Sequence, residues 1–139
     1  MSYKSERLQG LRESMAGVET LRSLWPLAFP KKSHLVKPLA SRVARQVAER
    51  TGWSPAYTRG VLQAWKSRSA YCYAVLGNER RSNLDGQEVA EIVDDEARKM
   101  ARNQLARIAA RRAKLEQKKA AAAAKPVPEM SNSAASPAG

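Results

Sequence analysis

Nearly all the large apolar side chains of this sequence lie between Leu21 and Val93. Whatever the chain folds into is therefore built on one core drawn from roughly 70 to 80 residues, small but sufficient for a single domain. Outside that stretch the sequence thins out. Residues 1–14 are polar without an apolar stripe and read as a flexible arm, and alanines, 24 in all, supply much of the 43% hydrophobic content. The apolar density sets the expected division: an arm over residues 1–14, a folded domain over 15–103, a basic alanine-rich helical extension over 104–124, and a disordered tail over 125–139.

Several classes of protein drop out. The sequence has no run of 18 apolar residues, and MSYKSERLQG carries no signal-peptide stretch, so no membrane association is expected and the expected location is cytoplasmic. Cys72 has no second cysteine to pair with, and with His34 it is too little for a four-ligand zinc site. Cys72 also lacks a nearby base to activate it, so the sequence predicts no catalysis, metal or cofactor.

The charge is unevenly spread. Residues 31–81 hold +9 of the net +12, residues 82–100 are acidic at −4, and residues 101–139 return to +6. Trp53, Tyr57, Trp65, Tyr71 and Tyr73 lie inside the basic stretch, with Trp25 and Phe29 at its border. Basic and aromatic residues interleaved in a folded segment point to a polyanion with faces to stack on. Trp25, Phe29 and Trp65 are better read as core, since large apolar rings are usually buried.

The pattern of elements is mostly helical. Val18, Leu21 and Trp25 mark a helix from Ser14 to Leu27, broken near Pro26. Leu39, Val43 and Val47 mark a second within PLASRVARQVAERTG, ended by Gly52 and lined with Arg42, Arg45 and Arg50. Ser54 and Pro55 supply a cap and a first-turn proline for a third helix through Val61, Leu62 and Trp65. Ser67 or Ser69 is placed to cap a short fourth helix from Ala70 to Val75, with Tyr71 one turn in and Tyr73 assigned to the core. Asp85-Gly86 between two short arms signals a hairpin. The acidic run over residues 88–96 reads as capping for a last helix, whose basic residues gather toward its end.

Taken in order, Arg59 on the third helix, the Lys66-Ser67-Arg68-Ser69 break, Tyr71-x-Tyr73, Arg81 and Asn83-Leu84-Asp85-Gly86 resemble the ProQ/FinO family of bacterial RNA chaperones. LRSLWPLAFP, the KPL beginning at Lys37 and Ala97-Arg98-Lys99 fall in the family's order too, so the resemblance covers about residues 20 to 100. It implies a mostly α, compact domain with a small β-hairpin. It also implies that a concave basic face holds the base of an RNA stem-loop and its 3′ U-rich end, in regulation by small RNAs and at messenger 3′ ends. The sequence departs from the family in a shorter second helix, the missing glycine that follows the family's PLK motif, Ser69 in place of a tryptophan, and Asn83 in place of an aspartate.

The resemblance makes Arg59, Tyr71 and Arg81 the main RNA contacts, and Arg59 stands on a different helix face from Val61 and Leu62. Tyr71 is placed to stack on or hydrogen-bond to a terminal nucleotide. Ser67, Arg68 and Ser69 precede a helix whose first N–H groups favour phosphate. Arg80 points away from Arg81 on an extended strand and serves as supporting charge. Lys66, Lys37 and Arg98 are further candidates for the duplex backbone. Two other readings stand beside this one. VARQVAERTGWSPAYTRGVLQAW resembles a helix-turn-helix DNA binder, though that leaves residues 66–100 without a role. The basic end alone could bind ribosomes or acidic proteins. No long apolar heptad is present, so a monomer is expected.

Overall fold

The computed structural model describes residues 3–124, with side chains from Glu13 onward. The disordered tail expected over residues 125–139 lies outside the described residues. Five helices and one hairpin follow in the order α1 (Tyr3–Leu24), a 3₁₀ turn (Ser33–Leu35), α2 (Val43–Thr51), α3 (Pro55–Lys66), α4 (Ser69–Gly77), β1 (Arg80–Ser82), β2 (Glu88–Ile92) and α5 (Asp95–Ala124). The described residues fall into two compact units that divide between Gln104 and Leu105.

The first helix corrects the sequence reading at both ends. Residues 3–14, within the stretch read as a flexible arm, are helical backbone, and the helix stops at Leu24 rather than Leu27. An apolar stripe is needed to bury a helix, not to form one, so its absence before Ser14 hid these turns. Pro26 has no N–H to continue the helix, and Val18, Leu21 and Trp25 enter the core as expected. Gly17 lets α1 come close to α3: a Cβ there would lie 2.5 Å from Val61 Cγ2.

The second helix is shorter than its apolar pattern, because residues 38–40 are extended and pair with the hairpin instead. Gly52 closes α2 at a φ of 77°, donating its N–H to Ala48 O at 2.9 Å. Ser54 caps α3, accepting from the Tyr57 N–H at 3.1 Å, and Pro55 takes the first turn. The α3 residues Thr58, Val61, Leu62 and Trp65 face the core, and the Trp65 ring meets Phe29 edge-on at 5.3 Å. Trp25, Phe29 and Trp65 are all buried.

In the hairpin, Asn83 Oδ1 accepts from the Asp85 and Gln87 N–H groups, both at 3.0 Å, and Gly86 turns with a φ of 78°. β1 and β2 are antiparallel, pairing Arg80 with Ile92 and Ser82 with Glu88 around an irregularity. On the other side of β1, Ser82 donates its N–H to Pro38 O at 2.7 Å and accepts from the Ala40 N–H at 2.9 Å, a parallel bridge. Asp94 caps α5, accepting from the Ala97 N–H at 2.8 Å, and Gln104 Nε2 donates to Ser67 O at 3.1 Å. The helix continues through the alanines at 120–124. None of the described helices is long and apolar enough to cross a membrane.

Candidate nucleic-acid interface

The extended segment at Leu39 is the hub of a polar cluster. The Leu39 N–H donates to the Tyr71 hydroxyl at 3.1 Å, and the Leu39 carbonyl accepts from Arg81 Nη1 at 3.0 Å. Arg81 Nε lies 3.3 Å from Glu91 Oε2. Glu91 in turn accepts from the Ser41 backbone N–H at 3.1 Å and the Ser41 hydroxyl at 2.9 Å. Lys66, half-buried at the end of α3, feels both charges. Burial holds its pKa below the ordinary lysine value, the Arg81 charge lowers it further, and Glu91 opposes both.

Burial pushes the Tyr71 phenol above its ordinary pKa, opposed by the Leu39 hydrogen bond and by Arg81. It is therefore a neutral phenol at physiological pH. Its oxygen accepts from the Leu39 N–H in a buried hydrogen bond.

Three of the residues singled out from the sequence, Lys66, Tyr71 and Arg81, thus converge. Arg59 is exposed on α3 and shares a face with Gln63 and Lys66, four and seven residues on. Arg80 is exposed, Arg81 half-buried and Ser82 buried, so burial deepens along β1. Lys37 donates to Gly86 O at 3.0 Å, beside the hairpin turn. Arg98 is taken up by Asp95 at 3.7 Å and by Asn78 O at 3.5 Å.

Other assignments change. Tyr71 is 6% exposed and Tyr73 64% exposed, the reverse of the expectation that Tyr73 belongs to the core. Tyr71 therefore offers no free ring face for stacking. Because α4 is apolar all round, its sequence pattern does not tell which ring goes inside. Neither serine caps α4. The N-cap residue is Arg68, with no side-chain cap, because the Ser67 hydroxyl donates back to Gln63 O at 2.7 Å and Ser69 is already the first helical residue. Arg68 instead lies 5.2 Å from the centre of the Trp65 ring.

Sequence reasoning misses Ser41 and Glu91. Glu91 falls within the acidic run read as helix capping, yet it sits in β2, and its distance in sequence from Arg81 and Ser41 leaves no local signal. No group of His, Cys, Asp and Glu suited to a metal occurs among the described residues. Burial raises the pKa of the Cys72 thiol, which makes it a poor nucleophile.

Among curated proteins, none matches the chain. Two solved bacterial structures are similar. A ProQ homolog from Legionella pneumophila is 25% identical over 63% of this chain and 75% of its own, with a TM-score of 0.50. A FinO-like RNA chaperone from Neisseria meningitidis, NMB1681, matches 74% of this chain and 91% of its own with a TM-score of 0.53. At 16% identity this second likeness speaks for the fold. The profile of the ProQ/FINO family matches residues 11–121, spanning the core, the Leu39 cluster and most of α5, and the chain belongs to the ProQ/FinO family.

Proposed function

We propose that this protein binds structured RNA and acts as an RNA chaperone, holding the base of a terminator-like stem-loop and its 3′ U-rich end. The Leu39 cluster carries this reading. It sets two cations, Lys66 and Arg81, against one acid, Glu91, with a neutral phenol beside them. A phosphate group supplies the negative charge that one carboxylate leaves unmatched. Arg59 extends the cationic face along α3, and its guanidinium can meet a phosphate in two-pronged fashion.

The partners are small RNAs and messenger 3′ ends, and the role is post-transcriptional regulation in the cytoplasm by a monomer that protects or anneals RNA without performing chemistry on it. The experiment compares an RNA hairpin carrying a 3′ U tail, the same hairpin with its 3′ end phosphorylated or trimmed, and a DNA duplex of equal length. Each is measured at two salt concentrations, because a chain of net charge +12 holds any nucleic acid at low ionic strength. Preference for the free-tailed hairpin that survives added salt is the expected result, and equal binding that disappears with salt would sink the reading.

Preference for the DNA duplex would instead favour the helix-turn-helix. Against that alternative, the N-terminal turn of α3 is already engaged: Tyr57 donates its hydroxyl to Glu13 O at 3.1 Å and packs edge-on against Trp53 at 4.9 Å.

A further inference from the structure

The Leu39 segment and β2 flank β1 on its two sides, so β2 is an edge of the sheet. Among the described residues its one strand neighbour is β1, and no helix covers its outer side. Both flanks of the strand turn inward: Gln87 O accepts from the Asn83 N–H at 2.9 Å, and the Val93 N–H donates to Glu79 O at 2.8 Å. The backbone groups of residues 88–92 that point away from β1 have no partner among the described residues. A row of unpaired N–H and C=O groups of this kind is a template for another strand.

The side chains decide which strand it fits. Exposure alternates along β2, with Glu88, Ala90 and Ile92 exposed and Val89 and Glu91 half-buried. Glu88, Ala90 and Ile92 thus share one face, on which Ile92 is 67% exposed. Glu91 is held by Arg81 and Ser41, whereas Glu88 is in no ion pair among the described residues. Glu79 and Asp94 at one end of the strand and Asp85 at the other add exposed carboxylates, and residues 82–100 carry −4 in a chain of net charge +12.

An acidic edge repels nucleic acid, and it repels a second copy of itself. Antiparallel pairing of two β2 strands about Ala90 would set Glu88 of each copy against Ile92 of the other and bring Asp94 and Asp95 of each toward Asp85 of the other. We propose that the outer edge of β2 is a docking site for a protein partner, which adds an extended basic segment as a further strand. A lysine or arginine of that segment lies opposite Glu88, and an apolar residue lies beside Ile92. Backbone hydrogen bonds hold the added strand, and the carboxylates select its charge. The docking edge stands whether or not the Leu39 cluster binds RNA.

The test uses the full chain labelled with nitrogen-15 and a capped peptide built on the repeat Lys-Thr-Val-Thr, whose lysines and valines fall on one face of an extended strand. Amide resonances of residues 88–92 should move saturably with this peptide, and their hydrogen exchange should slow. The same peptide methylated on every backbone nitrogen should not bind, because it has no N–H to give the edge. Glu88→Lys, at an exposed position, should weaken binding about tenfold, as a cross-strand ion pair becomes a repulsion. No saturable shift in residues 88–92 would overturn the proposal. Equal binding of the methylated peptide, or of a folded Glu88→Lys variant, would overturn it as well. Shifts of these residues that grow with protein concentration in the absence of peptide would make the occupant a second copy, and shifts with the RNA hairpin but not the peptide would assign the edge to RNA; either result sinks the inference.

Discussion

Arg59 and Arg81 are both arginines assigned to RNA, but their surroundings separate them. Arg59 is exposed, so Arg59→Ala should weaken hairpin binding by about 1–3 kcal/mol, the scale of a charge-assisted hydrogen bond, and leave the melting temperature unchanged. Arg81 ties Leu39 to Glu91, so Arg81→Ala should weaken binding and also cost about 1–3 kcal/mol of stability, since a buried carbonyl is left without its partner. Paired melting and binding curves distinguish the two. Lys66 has a pH signature. The native protein releases its proton more readily than the unfolded chain, whose lysine keeps the ordinary value of 10.5. Between those two values the unfolded state holds more protons, so Lys66 lets stability rise with pH in that window, and below it the buried charge is a constant cost. Lys66→Met should therefore raise the melting temperature at neutral pH, flatten the rise toward pH 10.5, and weaken RNA binding; thermal melts across that range test it.

At the scale of elements, two helical glycines predict opposite outcomes. Gly17→Ala adds a methyl group 2.5 Å from Val61 Cγ2, and overpacking of this kind typically costs about 1–3 kcal/mol, enough to outweigh the gain in helix propensity. Gly60 has no atom closer than Ser14 Oγ at 4.0 Å to a Cβ placed there, so Gly60→Ala should stabilise α3 by about 0.4–1 kcal/mol. Denaturant midpoints of the two variants should move to opposite sides of wild type. The parts of the fold that are legible in the sequence are those whose signal is local. The Ser54-Pro55 start, the Gly52 stop and the Asp85-Gly86 turn each depend on residues next to one another. What is not legible depends on interactions between distant segments. Residues 38–40 leave the second helix because Ser82 offers a strand partner. Tyr71 goes inside because Leu39 needs an acceptor, and Glu91 is claimed by Arg81 and Ser41.

For the whole molecule, the boundary at Gln104 separates two kinds of attraction. Residues 105–124 add Arg107, Arg111, Arg112, Lys114, Lys118 and Lys119 against one acid, Glu116, and offer charge without a hydrogen-bonded cluster. Truncation after Gln104 should make log affinity fall less steeply with log salt, by about 0.7–0.9 for each phosphate that is no longer neutralised, and keep the preference for a tailed hairpin. Disappearance of that preference would move recognition to the basic helix. The parallel bridge between residues 38–40 and Ser82 has a consequence for how the protein comes into being. It closes a loop that contains α2, α3 and α4, and the entropy of that closure means it should form after the helices it encloses have packed. A chain still emerging from the ribosome, or one partly unfolded, already carries the positive charge of the basic segment but not the Leu39 cluster. If the Leu39 cluster reads RNA as proposed, attraction to RNA precedes discrimination among RNAs, and the step from one to the other is the closing of a few backbone hydrogen bonds.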